Sequence, residues 1–355
     1  MRSTRRAPTR TRRRLTRRAR AQRQAAEGTS VVRMSDVSRE AGVSTATVSR
    51  VLTGSAEVDP KTKKLVLAAV EKLKYRPNLV ARGLRRRLSH VIALIVTDIE
   101  NPFYTAICRG VEDAAWIAGY SVILCNADRD IDKERQYIRV VADQNAAGVI
   151  ISPASARKTD ISELAARRLP VVAVDMALAT ATGSVLVDNK EAGASATRHL
   201  IRRGCELIAC ITGPAENATA YDRGVGYLSA IADAGRRRRP DLLVYSNYME
   251  DGGYQAMQRI LALNPRPDGI FVTNNRMAVG VLRALQEQAV AIPHQMKVIG
   301  FDELPWALEL HPHMSLVRQP AYRIGQEAAR VLIDCANDKK SSRHIVLEAE
   351  LVERD

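Results

Sequence analysis

The feature that most restricts the fold is a repeated alternation of short apolar segments with longer amphipathic ones, which begins after His90. The short segments are rich in valine and isoleucine, which is typical of strands buried on both faces of a sheet. The amphipathic segments between them predict helices. We therefore expect parallel sheets with helices on both faces. The predicted strands are 91–96, 120–125, 148–153, 171–174, 207–211, 269–272 and 298–300, and the predicted helices include 102–118 and 131–143.

The length of this region indicates two similar lobes. Residues 90–355 contain more strand and helix units than one sheet accommodates comfortably. In open parallel sheets, ligands bind beyond the carboxyl ends of the strands. A binding site is therefore expected in the loops that follow the strands.

A different pattern, of short helices, starts at Met34. Gly42 can supply a sharp turn between two helices, and Ser44 can cap the second, which carries T-A-T-V-S-R-V-L. A third helix is predicted from Asp59-Pro60, an acidic cap followed by proline at the first helical position. Together these helices predict a helix-turn-helix. The expected buried face of the third helix is Leu65, Val66, Ala69, Val70 and Leu73.

The positive charge is concentrated at the N-terminal end. Residues 1–33 contain 12 arginines and one acid, and residues 34–90 contain 12 basic and five acidic residues, so the remainder is slightly acidic against a total of +15. Such asymmetry is expected when one segment contacts a polyanion. A membrane surface and nucleic acid both fit the charge alone.

The second predicted helix favours DNA. It presents small polar groups near its start that fit a major groove, and Arg50 can donate two hydrogen bonds to a guanine edge. Ala46 can only pack, whereas short hydroxyls suit phosphate oxygens. An ordinary helical hairpin is the alternative. The candidate DNA-contacting residues of this helix are Ser44, Thr45, Ala46, Thr47, Ser49 and Arg50.

Several motifs together resemble the lactose/galactose repressor (LacI) family of regulators. Residues 34–87 contain D-V-S-R-E-A-G-V-S-x-x-T-V-S-R-V-L and Y-R-P-N-x-x-A-R-x-L, and later segments contain D-I-x-N-P-F, R-G-V-E-D-A-A, V-I-G-F-D and V-R-Q-P-A-Y. The resemblance covers the chain except the arginine-rich extension. It implies an all-α helix-turn-helix head and an α/β bilobal domain of the periplasmic-binding-protein type, with a parallel sheet in each lobe.

The resemblance also implies domain boundaries. We expect a disordered extension at 1–33, the head at 34–76, a hinge helix or linker at 77–89 and the effector domain at 90–355. Lobe 1 is expected at about 90–187 and 316–345, and lobe 2 at about 188–315 and 346–355. The extension is either a basic arm that adds phosphate affinity or an upstream segment before a start at Met34.

In the family, a hinge segment becomes helical when a dimer meets its operator, and a leucine wedges into the central minor-groove step. The wedge unstacks a base step, and the bent DNA accepts more protein contacts. A core leucine is the alternative for the matching position. The matching residues here are Asn78, Ala81 and Leu84.

The family's effector pocket is implied at eight positions. Polar side chains between aromatic rings suit a sugar or a nucleobase. A structural ion pair is the alternative for Arg223 and Asp302. Asn274-Asn275 departs from the usual Asn-Asp, which we expect to affect helix capping more than ligand contact. The implied effector residues are Phe103, Tyr104, Asp175, Thr219, Arg223, Tyr248, Asn274 and Asp302.

The resulting expectation is a cytoplasmic repressor that binds a pseudo-palindromic operator as a homodimer, or as a dimer of dimers, under control of a sugar-like effector. The sequence has no apolar run long enough to span a bilayer. Common catalytic and nucleotide-binding motifs are absent, so no enzyme, cofactor or metal is expected. A solute-binding receptor and a sugar-modifying enzyme are the rival interpretations.

Three weaker signals favour ordinary loops. His311 and His313 lack further metal ligands nearby. The run 236–239 of four arginines fits a solvated loop, with an anion contact as the alternative. The alternating acids Asp128, Asp130 and Asp132 lack the glutamate that a calcium loop requires.

Overall fold

The computed structural model describes residues 32–53, 58–75, 90–144, 146–303, 314–337 and 342–354. The chain divides into two compact units, Met1–Leu88 and Ser89–Asp355. In the described part, no helix has the length and apolar character needed to cross a membrane.

The described part of the first unit contains three short helices: Met34–Ala41 (α1), Thr45–Thr53 (α2) and Pro60–Lys72 (α3). Gly42 follows α1 with φ 65°, in the left-handed region that glycine tolerates. Ser44 Oγ accepts from Thr47 N at 3.1 Å, and Asp59 accepts from Thr62 N at 3.0 Å, so both predicted caps are present.

The core of this unit contains Val37, Val48, Val66 and Ala69, all buried. The prediction for Leu65 was wrong, because its side chain is 57% exposed. A helix turns about 100° per residue, so the face that buries Val66 and Ala69 directs its neighbour outward.

The second unit has two lobes. The sheet of the first lobe has six strands, all parallel, and its helices are Pro102–Ile117 (α4), Ile131–Asp143 (α5), Ser162–Ala166 (α6) and Ala321–Ala336 (α11). In spatial order the strands are His344–Leu347 (β11), Gly183–Val187 (β5), Val171–Val174 (β4), Gly148–Ile151 (β3), Val91–Val96 (β1) and Ser121–Asn126 (β2).

The second lobe repeats this plan. Its described helices are Asn189–Arg202 (α7), Ala218–Asp233 (α8), Glu250–Leu261 (α9) and Asn275–Glu287 (α10), with a 3₁₀ turn at Pro240–Leu242. In spatial order its strands are Glu350–Val352 (β12), Ser315–Arg318 (β10), Lys297–Phe301 (β9), Gly269–Val272 (β8), Ile208–Thr212 (β6) and Leu243–Tyr245 (β7). The pair β10–β12 is antiparallel, and the other pairs are parallel.

The chain crosses between the lobes three times: after β5, between β10 and α11, and between β11 and β12. The strand β10 pairs with β9 of the second lobe, so the second crossing follows Arg318 rather than residue 315. Likewise β11 stays in the first sheet as far as Leu347, beyond the expected residue 345. The alternation of strands and helices that the sequence predicts is confirmed.

Candidate functional site

The exposed start of α2 presents the residues predicted to contact DNA. Ser44, Thr45, Ala46 and Arg50 are exposed, whereas Thr47 and Ser49 are partly buried. The Ser44 and Thr47 hydroxyls are hydrogen-bonded to each other at 2.9 Å. Because Val48 is buried, α2 is anchored on its opposite face. The predicted hinge residues Asn78, Ala81 and Leu84, and residues 1–31 of the predicted extension 1–33, lie outside the described residues.

In the first lobe, three predicted effector residues lie together. Asn101 caps α4 by accepting from Phe103 N at 3.0 Å, and the first turn of that helix carries Phe103 and Tyr104, whose rings pack edge to face at an interplanar angle of 70°. The Tyr104 hydroxyl donates to Asp175 Oδ2 at 3.0 Å, which joins the loop after β1 to the loop after β4. These loops follow strand ends, as expected for a cleft in an open sheet.

In the second lobe, Arg223 is 4% exposed and held from several sides. Its Nε donates to Asn189 Oδ1 at 2.8 Å, and its Nη1 donates to the Thr273 carbonyl at 2.8 Å. The guanidinium carbon lies 3.7 Å from the centroid of the Phe301 ring. A Cβ on Gly193 would come within 2.3 Å of the Arg223 carbonyl oxygen, so glycine permits α7 and α8 to approach here.

The two carboxylates near Arg223 have perturbed pKa values. Burial raises the pKa of Asp302 to about 6, although Arg223 and a hydrogen bond from Gln319 oppose the rise. Gln319 Nε2 lies 2.9 Å and 3.0 Å from the two Asp302 oxygens. Burial also raises the pKa of Asp175, again against Arg223. Shifts of this kind concentrate at functional sites.

Tyr248 and Thr219 share one hydrogen-bond group. The Tyr248 hydroxyl donates to Asn217 Oδ1 at 3.0 Å and lies 3.2 Å from the Thr219 hydroxyl. A Cβ on Gly213 would come within 2.2 Å of the Tyr248 ring, so glycine makes room for that ring. Burial raises the pKa of Tyr248, so the hydroxyl stays protonated at neutral pH.

Three of the predicted positions have strained backbones. Asp175, Tyr248 and Asp302 have φ values of 66°, 64° and 65°. Residues other than glycine rarely adopt this left-handed backbone conformation, and those that do are often found at ligand sites. Each follows the carboxyl end of a strand.

Asn274 and Asn275 have separate roles that the sequence did not distinguish. Asn274 caps α10, because its Oδ1 accepts from Met277 N at 3.1 Å. The side chain of Asn275 exchanges two hydrogen bonds with Asn101 of the first lobe, at 2.9 and 3.1 Å, a contact that the expectation of an effect on capping did not include.

In the described part of the chain, two of three buried hydroxyls without a standard hydrogen bond lie beside Tyr104, and neither was predicted from the sequence. Among the described residues, Thr97 Oγ1, Ser152 Oγ and Ser246 Oγ are buried without a hydrogen-bond partner. Thr97 follows β1 and Ser152 follows β3, and both lie beside the Tyr104 hydroxyl. Burial raises the pKa of Tyr104, so it too remains a neutral hydroxyl. The position after a strand end was the only signal that sequence offered for them.

The weaker sequence signals resolve into structural contacts where they are described. Arg236 donates to the Cys205 carbonyl at 2.6 Å, and Arg239 pairs with Asp241. Asp130 caps α5, and Asp128 pairs with Lys133. Within the described ranges no cluster of three metal-ligating side chains occurs. His311 and His313 lie outside those ranges.

The site therefore combines the guanidinium of Arg223, on α8, with two carboxylates that follow strand ends in the two lobes. Aromatic rings and several hydroxyls lie near them. Such a set can hydrogen-bond the hydroxyls of a ligand from two sides while rings cover its apolar face.

Comparison with known proteins gives a consistent result. The family model described as "Periplasmic binding proteins and sugar binding domain of LacI family" matches residues 89–354. The model described as "Bacterial regulatory proteins, lacI family" matches residues 33–78.

Similar proteins of known role are regulators. The chain is 38% identical to the transcriptional regulator RegA of Clostridium saccharobutylicum over 90% of this chain and 97% of RegA. It is 35% identical to catabolite control protein A of Priestia megaterium over 88% of this chain and 94% of that protein. A solved complex of the transcriptional regulator CelR with cellobiose matches with TM-score 0.69 and 29% identity, covering 91% of this chain and 99% of that one.

A solved lac repressor dimer bound to operator matches in fold with TM-score 0.81, at 23% identity, covering 92% of this chain and 98% of that one. Both family models and the curated relatives thus agree on the same architecture and class. The chain belongs to the LacI family of bacterial regulatory proteins, a family of DNA-binding transcriptional regulators and not of enzymes.

Proposed function

We propose that this chain is a cytoplasmic transcriptional repressor that binds a pseudo-palindromic operator as a homodimer and responds to a neutral, sugar-like effector held between its two lobes. The observation that carries the proposal is the fixed position of Arg223 near Asp175 and Asp302, which follow strand ends in the two lobes.

The charges of this site favour a neutral ligand. Arg223 is balanced by the carboxylates of Asp175 and Asp302. One arginine and two acids leave no excess positive charge to attract a phosphate or a carboxylate. Hydroxyl groups, by contrast, can both donate to Asp175 and Asp302 and accept from Arg223. Cellobiose in the similar CelR complex is a ligand of that kind, and we extend this class to the present chain.

An exposed apolar edge supports the homodimer. Trp116 and Ile117 at the end of α4 are 76% and 85% exposed, and Ile123 and Leu124 on the edge strand β2 are 48% and 45% exposed. Apolar side chains concentrated on one edge are typical of an association surface. A second copy of the chain would cover them and would bring two heads to the two halves of a symmetric operator.

The residues at the exposed start of α2 support operator binding through this helix. Arg50 is the side chain suited to read a guanine, and the small residues Thr45 and Ala46 allow the helix to approach the base edges. The segment that contains Asn78, Ala81 and Leu84 is proposed, from the resemblance, to form the hinge that contacts the minor groove. Effector and operator binding would then be coupled reciprocally.

Two measurements on the full chain test this proposal. Thermal unfolding is recorded with a panel of neutral sugars, sugar phosphates and nucleosides, and every ligand that raises the Tm is added to the chain bound to its own promoter DNA. We expect a neutral sugar to raise the Tm and to change the DNA affinity. A Tm response limited to phosphorylated or nucleoside ligands would contradict the proposed effector class, and a ligand that raises the Tm without affecting DNA binding would contradict the control by effector.

A further inference from the structure

A second group of polar residues joins the lobes at the cleft without belonging to the predicted effector site. From the first lobe it contains Asp98, Asn101 and Arg129, and from the second lobe Asn275 and Arg276. We call these five residues the interlobe latch. Asp98, Asn101 and Asn275 are each at most 6% exposed.

The charged part of the latch centres on one carboxylate oxygen. Asp98 Oδ2 accepts from Arg276 Nη1 at 2.8 Å across the lobes and from Arg129 Nη2 at 3.0 Å within the first lobe. Arg129 also donates to the sulfur of Met249 of the second lobe at 3.4 Å. Its backbone has φ 57°, an unfavourable conformation that the surrounding contacts maintain.

The neutral part of the latch is the amide pair Asn101–Asn275. Each side chain donates to the other, and Asn275 Nδ2 lies 3.4 Å from the Glu303 carbonyl. Asn275 Oδ1 also accepts from Arg276 N at 2.8 Å, which connects the amide pair to the charged part. An aspartate at 275 would have no amide protons to donate to Asn101 or to Glu303. The asparagine is therefore what makes the pair reciprocal.

The latch lies far from the points where the chain crosses between the lobes. The crossings use β5 and β11 at one edge of the first sheet, and β10 and β12 at one edge of the second. The latch residues follow β1 and β2 toward the opposite edge of the first sheet, and β8, which is separated from β10 by β9. A contact far from the crossings between the lobes resists their opening more effectively than a contact beside the crossings.

We propose that the interlobe latch holds the two lobes closed before any effector binds, and that Arg276 is its principal residue in the second lobe. The inference rests on the proposed cleft, but the latch acts without a ligand. It sets the fraction of molecules that are closed, and so it scales the apparent affinity for every effector by the same factor. Arg276 is in this sense a positioning residue.

The test is amide hydrogen exchange of the full, ligand-free chain, followed by mass spectrometry. Arg276→Gln and Asp98→Asn each remove a charged partner of the latch, whereas Arg276→Lys retains a charge. Arg283→Gln is the matched control, because Arg283 lies on the same helix α10 but pairs with Glu250 and Glu287 inside the second lobe.

We expect exchange in peptides spanning 98–104 and 273–278 to accelerate by about tenfold or more in Arg276→Gln and Asp98→Asn, with a smaller change in Arg276→Lys. The control should match the unmodified chain. Unchanged exchange in both latch variants would overturn the proposal, as would an acceleration spread evenly over both lobes, which would indicate general destabilisation. Neither result depends on an effector or on DNA, so the outcome is separate from that of the proposed function.

Discussion

Arg223 lies over the ring of Phe301, with its guanidinium carbon 3.7 Å from the ring centroid. The ring fixes one face of the guanidinium, while Asn189 and the Thr273 carbonyl fix two of its donors. The remaining donors are therefore oriented before a ligand arrives. Preorganised donors lose less entropy on binding than mobile ones, so this residue is suited to select the geometry of an effector.

The first prediction concerns the shape of this side chain. Arg223→Lys keeps the positive charge but cannot bond Asn189 and the Thr273 carbonyl together, because an ammonium lacks the planar fork. We expect effector-induced stabilisation to be abolished and the free energy of unfolding to fall by about 1–3 kcal/mol. Denaturant unfolding measures the free energy of unfolding, and thermal shift with the effector measures the effector-induced stabilisation. Retained effector stabilisation in this variant would contradict the assigned role.

The second prediction concerns the pH dependence of stability. Burial raises the pKa of Asp302 above its ordinary value of 3.8 to about 6, so the folded chain holds this proton more tightly than the unfolded chain. The resulting stabilisation is complete below about pH 4 and is lost as the pH rises through about 6.

Asp302→Asn should remove the loss of stability that occurs as the pH rises through about 6. The Tm of the variant relative to the unmodified chain should therefore increase from about pH 4 to about pH 7 in the absence of effector. Differential scanning calorimetry across this range measures the difference. A difference that stays constant with pH, or that decreases, would show that Asp302 does not have a raised pKa.

The third prediction concerns the buried hydroxyl of Ser152, which makes no hydrogen bond of standard geometry. Ser152→Ala should leave the stability of the ligand-free chain nearly unchanged, because the adjacent Tyr104 hydroxyl keeps its hydrogen bond to Asp175, yet it should reduce effector affinity. Thr212→Val is the control, since the Thr212 hydroxyl donates to the Ala220 carbonyl at 2.9 Å. It should lower the free energy of unfolding by about 1–3 kcal/mol. Equal destabilisation in the two variants would refute this account of Ser152.

The fourth prediction concerns self-association through the exposed edge of the first lobe. Ile117→Glu places a charge on a side chain that is 85% exposed in a single chain, so the fold should be unaffected while the dimer weakens. Val140→Glu, at an exposed position on α5, is the control. Sedimentation velocity should detect monomers for the first variant alone. A persistent dimer would place the interface elsewhere.

The sequence predicted the architecture well, because strands buried on both faces leave a strong local pattern. Segments such as 171–174 and 269–272 match the observed strands residue for residue. Five strands were not predicted: β5, β7, β10, β11 and β12. The edge strands β7 and β12 have three residues each, and short, half-exposed strands carry little periodicity. Leu65 was misassigned because adjacent apolar residues on a helix do not reveal which one faces the core.

The site was predictable only in part. The resemblance pointed to Arg223 and Asp302, and strand ends pointed to the loops that hold Asp175. The interlobe contact of Asp98 with Arg276 joins residues 178 positions apart, and no local pattern encodes such a pairing. The unpartnered hydroxyls are likewise visible only when every neighbour has been placed.

The fifth prediction concerns the reading of DNA by α2. Arg50→Ala should relax base preference at one position of each half-site and cost about 1–3 kcal/mol of operator binding. Lys64→Ala, on the exposed surface of α3, should weaken binding to all sequences equally if it contacts a phosphate and should leave the preference unchanged. Binding to a library of operator variants separates the two effects. An unaltered preference in Arg50→Ala would contradict the assignment of α2 as the recognition helix.

Selection of genomic DNA fragments by the full chain, followed by footprinting of the bound fragments, tests the central claim most directly. We expect a small set of fragments with footprints of twofold symmetry, and an affinity that falls steeply with salt, as phosphate contacts require. Recovery of fragments at random, without a footprint, would contradict the proposal that this chain is a sequence-specific operator-binding regulator.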